Sequence, residues 1–372
     1  MTHVFSLKFR FGTRFFRGVE KTGWILAWIG VLLGFTAWHA CRNCGAETEP
    51  PARNEIPAPA KEYEAIRQRF ETYDVILKPD KQEPEWWAGA PSVIRDPQGV
   101  FWLACRMRDA VSPRGLRGYE IRILRSEDGV HFQTAHRILR EAVPIPGFER
   151  PALLIDPHSG KFKLYACGPW QNGPWSIVRF EDAADPTRFD PASARVVIAP
   201  YEKSYPRDVP PEGYKDPFIF HAQGHYHAYV IGQVRGAERI YHFLSGDGEE
   251  WRSAGRPYEP VMDLAGWHNF FVRPASVVPW GIGYLFIYEG SNVQWRDPVY
   301  NIGTGLGFTF DLHRVRDLTP DAPLLLSSTP GHFHTFRYSH WMKVERELWV
   351  YAEVANPDDT HEIRLYRVAM DR

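Results

Sequence analysis

The chain has 372 residues, 44% of them hydrophobic and 24% charged, which excludes wholesale disorder. Its formal charge of −1 argues against a generic nucleic-acid binder. Aromatic residues reach 15%, with 14 Trp, 17 Tyr and 23 Phe, and favour β-structure and stacking surfaces over a helical bundle.

The charge is unevenly divided along the chain. Residues 1–45 hold Lys8, Arg10, Arg14, Arg17, Lys21 and Arg42 against Glu20, a net of +5, and the remainder carries −6. Behind the basic leader (1–22) runs Gly23 to Trp38, 16 residues without a charge. As a helix this run spans about 24 Å against a hydrocarbon core of about 30 Å, and Val19 to Thr22 could extend it. We place a transmembrane or signal-anchor segment at 23–40, with the N-terminus inside and everything beyond residue 45 outside the cytoplasm, periplasmic or extracellular. Trp38 and His39 sit where a cleavage site needs small residues, so an uncleaved anchor is preferred. Lipidation at Cys41 is the alternative. Residues 41–62 read as a Pro-rich linker and 63–85 as a lead-in segment. Cys41 and Cys44 make half a zinc site with no second pair, and Cys105 and Cys167 lie inside apolar strands. Neither a metal nor a cofactor is signalled.

From residue 86 to 372 the chain repeats itself loosely. Units open at Ala90-Pro91, Arg150-Pro151, Asp216-Pro217, Arg273-Pro274 and Arg337-Tyr338, a period of about 60. Each is a short strand, a turn rich in Gly, Asp or charge, and a second aromatic-rich strand. Two units then close on Ser126-Glu127-Asp128-Gly129 and Ser245-Gly246-Asp247-Gly248, each followed three residues on by an aromatic ring, Phe132 or Trp251. Five such units predict an all-β, five-bladed β-propeller. An ordinary β-sandwich is the competing architecture.

Lys215-Asp216-Pro217-Phe218, followed by Tyr226 to Val230 and the Ser245 turn, is similar to the Arg-Asp-Pro blade of the five-bladed propeller glycosidases. That superfamily includes arabinanases, β-xylosidases, invertases, levansucrases and mannoside phosphorylases. The resemblance implies that Asp216 stabilises the transition state. It also implies that Glu149, in Glu149-Arg150-Pro151, supplies the general acid. The family opens its first blade with a carboxylate; this chain has Ala90 there. Arg95-Asp96-Pro97 and Arg296-Asp297-Pro298 read as turns rather than sites.

Innermost strands line the channel of a propeller, so the unit openings Ala90, Arg150, Asp216, Arg273 and Arg337 are expected to converge near its axis. Three guanidinium groups there call for anions, either an acidic ligand or internal carboxylates from Glu149, Asp216, Glu289 and Glu353. Glycoside hydrolysis needs one protonated and one ionised carboxyl group. Asp216, Glu149 and Glu289 are the catalytic candidates, with Glu289 following the apolar run Tyr284 to Tyr288. His268, Asn269, Trp87 and Trp170, with the three arginines, are candidates for substrate contact. These features predict an exported, membrane-tethered and monomeric glycosidase acting on an oligo- or polysaccharide, an acidic one among the candidates. A non-catalytic carbohydrate- or anion-binding propeller and a glycoside phosphorylase remain as alternatives.

Overall fold

The alternation of aromatic-rich strands with Gly- and Asp-bearing turns builds twenty strands among the residues described by the computed structural model: 58–59, 61–200, 209–295 and 300–370. The basic leader, the 23–40 segment, Cys41, Cys44 and Arg296-Asp297-Pro298 lie outside them. Among the described residues no helix is long and apolar enough to cross a membrane.

The strands after the lead-in form five antiparallel units. The first comprises β2 (Trp87–Arg95), β3 (Phe101–Arg108), β4 (Gly118–Ser126) and β5 (Gln133–Leu139). The second is β6 (Ala152–Ile155), β7 (Phe162–Pro169), β8 (Trp175–Arg179) and β9 (Arg195–Ile198). The third runs from β10 (Tyr214–Ala222) through β11 (His225–Val234) and β12 (Ala237–Ser245) to β13 (Arg252–Ser253). The fourth runs from β14 (Phe271–Trp280) through β15 (Gly283–Ser291) and β16 (Gly303–Thr309) to β17 (Arg316–Asp317). The fifth has β18 (Phe336–Val344), β19 (Glu347–Ala355) and β20 (His361–Ala369).

The fifth unit takes its outer strand from the lead-in. β1 (Asp74–Leu77) pairs antiparallel with β20, so residues near the start of the fold complete its last blade. First strands β2, β6, β10, β14 and β18 touch one another in that order, and β18 returns to β2. That closed circuit is a five-bladed propeller. Its core is distributed as apolar layers between successive blades, such as Ile121, Ile123 and Phe148 against Leu164 and Val178. Second strands lie between two such layers, which is why β3 and β7 are buried along their whole length.

The two Ser-x-Asp-Gly turns fold alike. Ser126 Oγ donates to Asp128 Oδ1 at 2.9 Å, and the N–H groups of Val130 and His131 donate to the same oxygen. Ser245 and Asp247 repeat the pattern with Glu249 and Glu250. A third copy occurs in blade 4, where Thr309 donates to Asp311 and His313 and Arg314 supply the N–H groups. Its Leu312 adopts φ 61°, where the other turns have Gly129 and Gly248 at φ 74° and 77°. Each turn is clasped by a tyrosine of the preceding blade. Tyr351 donates to Gly129 O at 2.7 Å, Tyr165 to Gly248 O at 2.6 Å, and Tyr229 to Leu312 O.

Candidate active site

Strand register sets two adjacent levels of the channel. Gly89 pairs with Arg106, Lys215 with Ile231, Arg273 with Glu289 and Arg337 with Glu353. Glu149 joins this level through its N–H to Cys167 O at 3.1 Å. One residue further on, Ala90, Asp216 and Tyr338 begin a bulge in which two residues face one, with φ of 53°, 52° and 51°. Arg150 stands at the matching place in blade 2. The openings read from sequence therefore straddle both levels: Ala90, Arg150 and Asp216 share one with Tyr338, and Arg273 and Arg337 share the other with Glu149 and Lys215. Glu149 and Lys215 keep 14% and 15% side-chain exposure, whereas Arg150 and Asp216 are buried.

Five carboxyl groups and their partners surround the channel. Glu353, in blade 5, reaches over blade 1, and a Cβ on Gly89 would stand 1.8 Å from its Oε2. It accepts from Ala90 N at 3.0 Å, Arg106 at 2.9 Å, Arg337 at 2.8 and 3.0 Å, and meets His361 Nδ1 at 2.7 Å. A carboxylate thus does reach the opening of blade 1, but from Glu353. Burial alone would raise its pKa, yet Arg337 and Arg106 hold it far below the carboxylate range. Glu238 is clamped by Arg273 and by Lys215 at 2.9 Å. Burial opposes its ionisation, but the two cations hold its pKa at about 2. Asp216 accepts from Tyr338 OH at 3.0 Å and Arg150 N at 3.3 Å, and Cys167 Sγ lies 3.6 Å from its Oδ1.

The other two carboxyl groups have spare capacity. Among the described residues Glu149 is bonded to Arg106 alone, and its carboxyl remains partly open to solvent. Burial pushes its pKa up, but Arg106, Arg108, Arg337 and Lys215 outweigh that and hold it below the usual range. Glu289 is fully buried, accepts Ser339 N–H at 3.3 Å, and leaves Oε2 without a hydrogen-bond partner among the described residues. Burial pushes it up to about 7 against the pull of Arg150, Arg273 and Arg337. Arg273, its partner across the strands, is taken up by Glu238 instead. Arg150 donates to the carbonyls of Pro274 and Ala275 at 2.7 and 2.6 Å, and so ties blade 2 to blade 4 across the axis.

The remaining candidates have other surroundings. Trp87 is fully buried, with the His361 ring stacked at 3.8 Å and the Arg108 guanidinium 3.7 Å from its centroid. His268 is buried and pairs with Asp317 of the outer strand β17 at 2.9 Å. Asn269 is exposed and accepts from Val293 N at 3.4 Å. Trp170 is half-buried against the layer between blades 1 and 2. Asp96 does form a turn, accepting from Gln98 N, Val100 N and Trp102 Nε1. Sequence reasoning passed over Arg106, Arg108, Lys215, Glu238 and Tyr338. The signal for the first two was a pair of arginines, two residues apart, in the apolar strand Phe101–Arg108.

No protein-family model matches the sequence, and no curated protein does. Solved structures do match. A glycoside hydrolase superposes with a TM-score of 0.61 at 12% identity, over 84% of this chain and 97% of its own. The chain shares the fold of that glycoside hydrolase. The β-1,2-mannobiose phosphorylase from Listeria innocua, solved with β-1,2-mannobiose, gives 0.56 at 15% identity over 78% of this chain and 94% of its own. The α-L-arabinofuranosidase from Lactobacillus brevis gives 0.55 at 12% identity, over 78% and 92%.

Proposed function

We propose that this propeller is a glycoside hydrolase in which Glu289 is the general acid and Glu149 its ionised counterpart. The observation that carries this reading is the divergence of two carboxyl groups in one channel. Glu289 lies near 7 by burial, and Glu149 is kept charged by Arg106. Such a separation assigns acid and base roles. Protonated Glu289 gives its proton to the glycosidic oxygen as the bond to the anomeric carbon breaks. The Glu149 carboxylate either takes a proton from the attacking water or attacks the anomeric carbon itself. Asp216 positions Arg150 and Tyr338 beside them. The glycosidases and the phosphorylase that share this fold support a carbohydrate substrate. The uncharged run Gly23 to Trp38 behind a +5 leader supports export, with the propeller held outside the cytoplasm by a membrane anchor.

A second reading, a carbohydrate-binding propeller without turnover, is favoured by the saturation of Glu353, the carboxylate that reaches the opening of blade 1. Release of reducing sugar from a panel of oligosaccharides separates the two. Under the hydrolase reading, Glu289→Gln lowers release from natural glycosides by roughly 10²–10⁴ but spares aryl glycosides with acidic leaving groups, because these need no proton. Glu149→Gln abolishes both. Binding without release by the wild-type chain would establish the second reading.

A further inference from the structure

The buried cations of the channel differ in how their charge is met. Arg106 has Glu149 and Glu353, Arg337 has Glu353, and Arg273 and Lys215 share Glu238. Arg150 has two backbone carbonyls. Arg108, which like Arg150 has no carboxylate partner among the described residues, lacks the carbonyls as well. It is 3% exposed and leaves its Nε–H without an acceptor among those residues. Its guanidinium lies 3.7 Å from the Trp87 centroid and 4.8 Å from that of Tyr300, and Nη2 donates to Tyr300 OH at 2.6 Å. Burial, together with Arg106 and Arg337, depresses it to about 10. A buried cation with no counter-ion is costly and calls for an anion.

The whole channel has the same imbalance. Arg106, Arg108, Arg150, Lys215, Arg273 and Arg337 outnumber Glu149, Asp216, Glu238, Glu289 and Glu353 by one positive charge, and by two when Glu289 is protonated. The flanking imidazoles of His340 and His361 are held neutral by burial, each at about 3. Arg114, which is exposed, lies over the same Tyr300 ring at 5.5 Å.

We propose that Arg108 anchors an oxyanion of the ligand, the carboxylate of an acidic sugar residue, and so selects uronate-bearing glycans. Inorganic phosphate shares the chemistry. A single guanidinium without an ion pair matches a singly charged carboxylate, and ionised Glu149 in the same channel disfavours a dianion. The inference rests on the channel taking a glycan.

The test is ligand-induced thermal stabilisation of the full chain and of Arg108→Met. The probes are uronate oligosaccharides, their carboxyl-reduced neutral counterparts, and inorganic phosphate. We expect the wild type to be stabilised by a uronate oligosaccharide more than by its neutral counterpart, and less so at high salt. Arg108→Met should weaken uronate binding by roughly 30-fold or more. It should leave neutral binding intact and melt no lower than wild type, because it removes an unpaired charge. Equal response to acidic and neutral sugars overturns the proposal. So does Arg108-dependent response to phosphate alone. A lower melting point for the unliganded variant would make Arg108 a structural prop of Trp87, and also overturns it. If Arg108-dependent uronate binding persists while no glycan is cleaved, the hydrolase reading fails and the anchor stands.

Discussion

Glu289 and Glu353 occupy the same register position in neighbouring blades, each paired across its strands with an arginine, and their environments are opposite. In blade 5, Arg337 turns inward onto Glu353, and Arg106, His361 and Ala90 N–H complete its shell. In blade 4, Arg273 turns away onto Glu238 of the preceding blade, and Glu289 is left without an ion pair among the described residues. A single acidic residue on a third strand therefore decides which carboxyl group is a brace and which is free for proton transfer. Equivalent places in a repeat need not have equivalent chemistry.

The largest effect expected from breaking this contrast is at the brace. Glu353→Ala strands Arg106 and Arg337 and should lower stability by about 3–5 kcal/mol in denaturant unfolding. A loss under about 1 kcal/mol would mean that Glu353 is no brace.

Glu289→Gln should act in the opposite sense on stability while removing roughly 10²–10⁴ of turnover on natural glycosides. The folded carboxyl sits at about 7 against an ordinary 4.5. Its contribution is therefore complete below about pH 4.5 and lost as the pH rises through about 7. The variant should match wild type near pH 4.5 and exceed it by about 1–3 kcal/mol at pH 8. Urea midpoints at the two pH values check the sign, and a variant less stable at pH 8 would refute the buried, protonated acid.

Glu238→Gln should convert one environment towards the other. Arg273 would become available to Glu289, and the alkaline limb of the pH–rate profile should move down by about one pH unit. An unmoved limb would show that Arg273 does not control Glu289.

The smallest effects concern the clasps. Tyr165→Phe and Tyr351→Phe should each lose about 1 kcal/mol in thermal unfolding, since each removes one buried hydrogen bond. No change in either would reduce the clasps to simple packing.

Features whose chemistry is local were legible in the sequence. The Ser126 and Ser245 turns, the Asp96 hairpin and the period of the units follow from residues a few positions apart. The third turn escaped notice because Thr309-Phe310-Asp311-Leu312 has no glycine, and Leu312 carries the positive φ itself. Proline marked the openings at Ala90, Arg150 and Asp216, but the same cue at Arg273-Pro274 fell one level early. Tyr338-Ser339 has no proline, so the fifth opening also slipped by one. Glu289 was singled out as a candidate by its apolar approach. Arg106, Glu238 and the reach of Glu353 over Gly89 depend on pairings between strands or blades, and no short motif reports these.

The pairing of β1 with β20 has a consequence for how the molecule is made. Arg367 meets Asp74 at 2.9 Å across a separation of 293 residues, so ring closure awaits synthesis of nearly the whole propeller. Until then β1 has no partner strand. The entropy of closing so long a loop is met only when the blades between are already formed. Residues 74–77 thus act as a latch that is made first and used last, and a chain lacking them would expose a strand edge open to pairing with a second molecule.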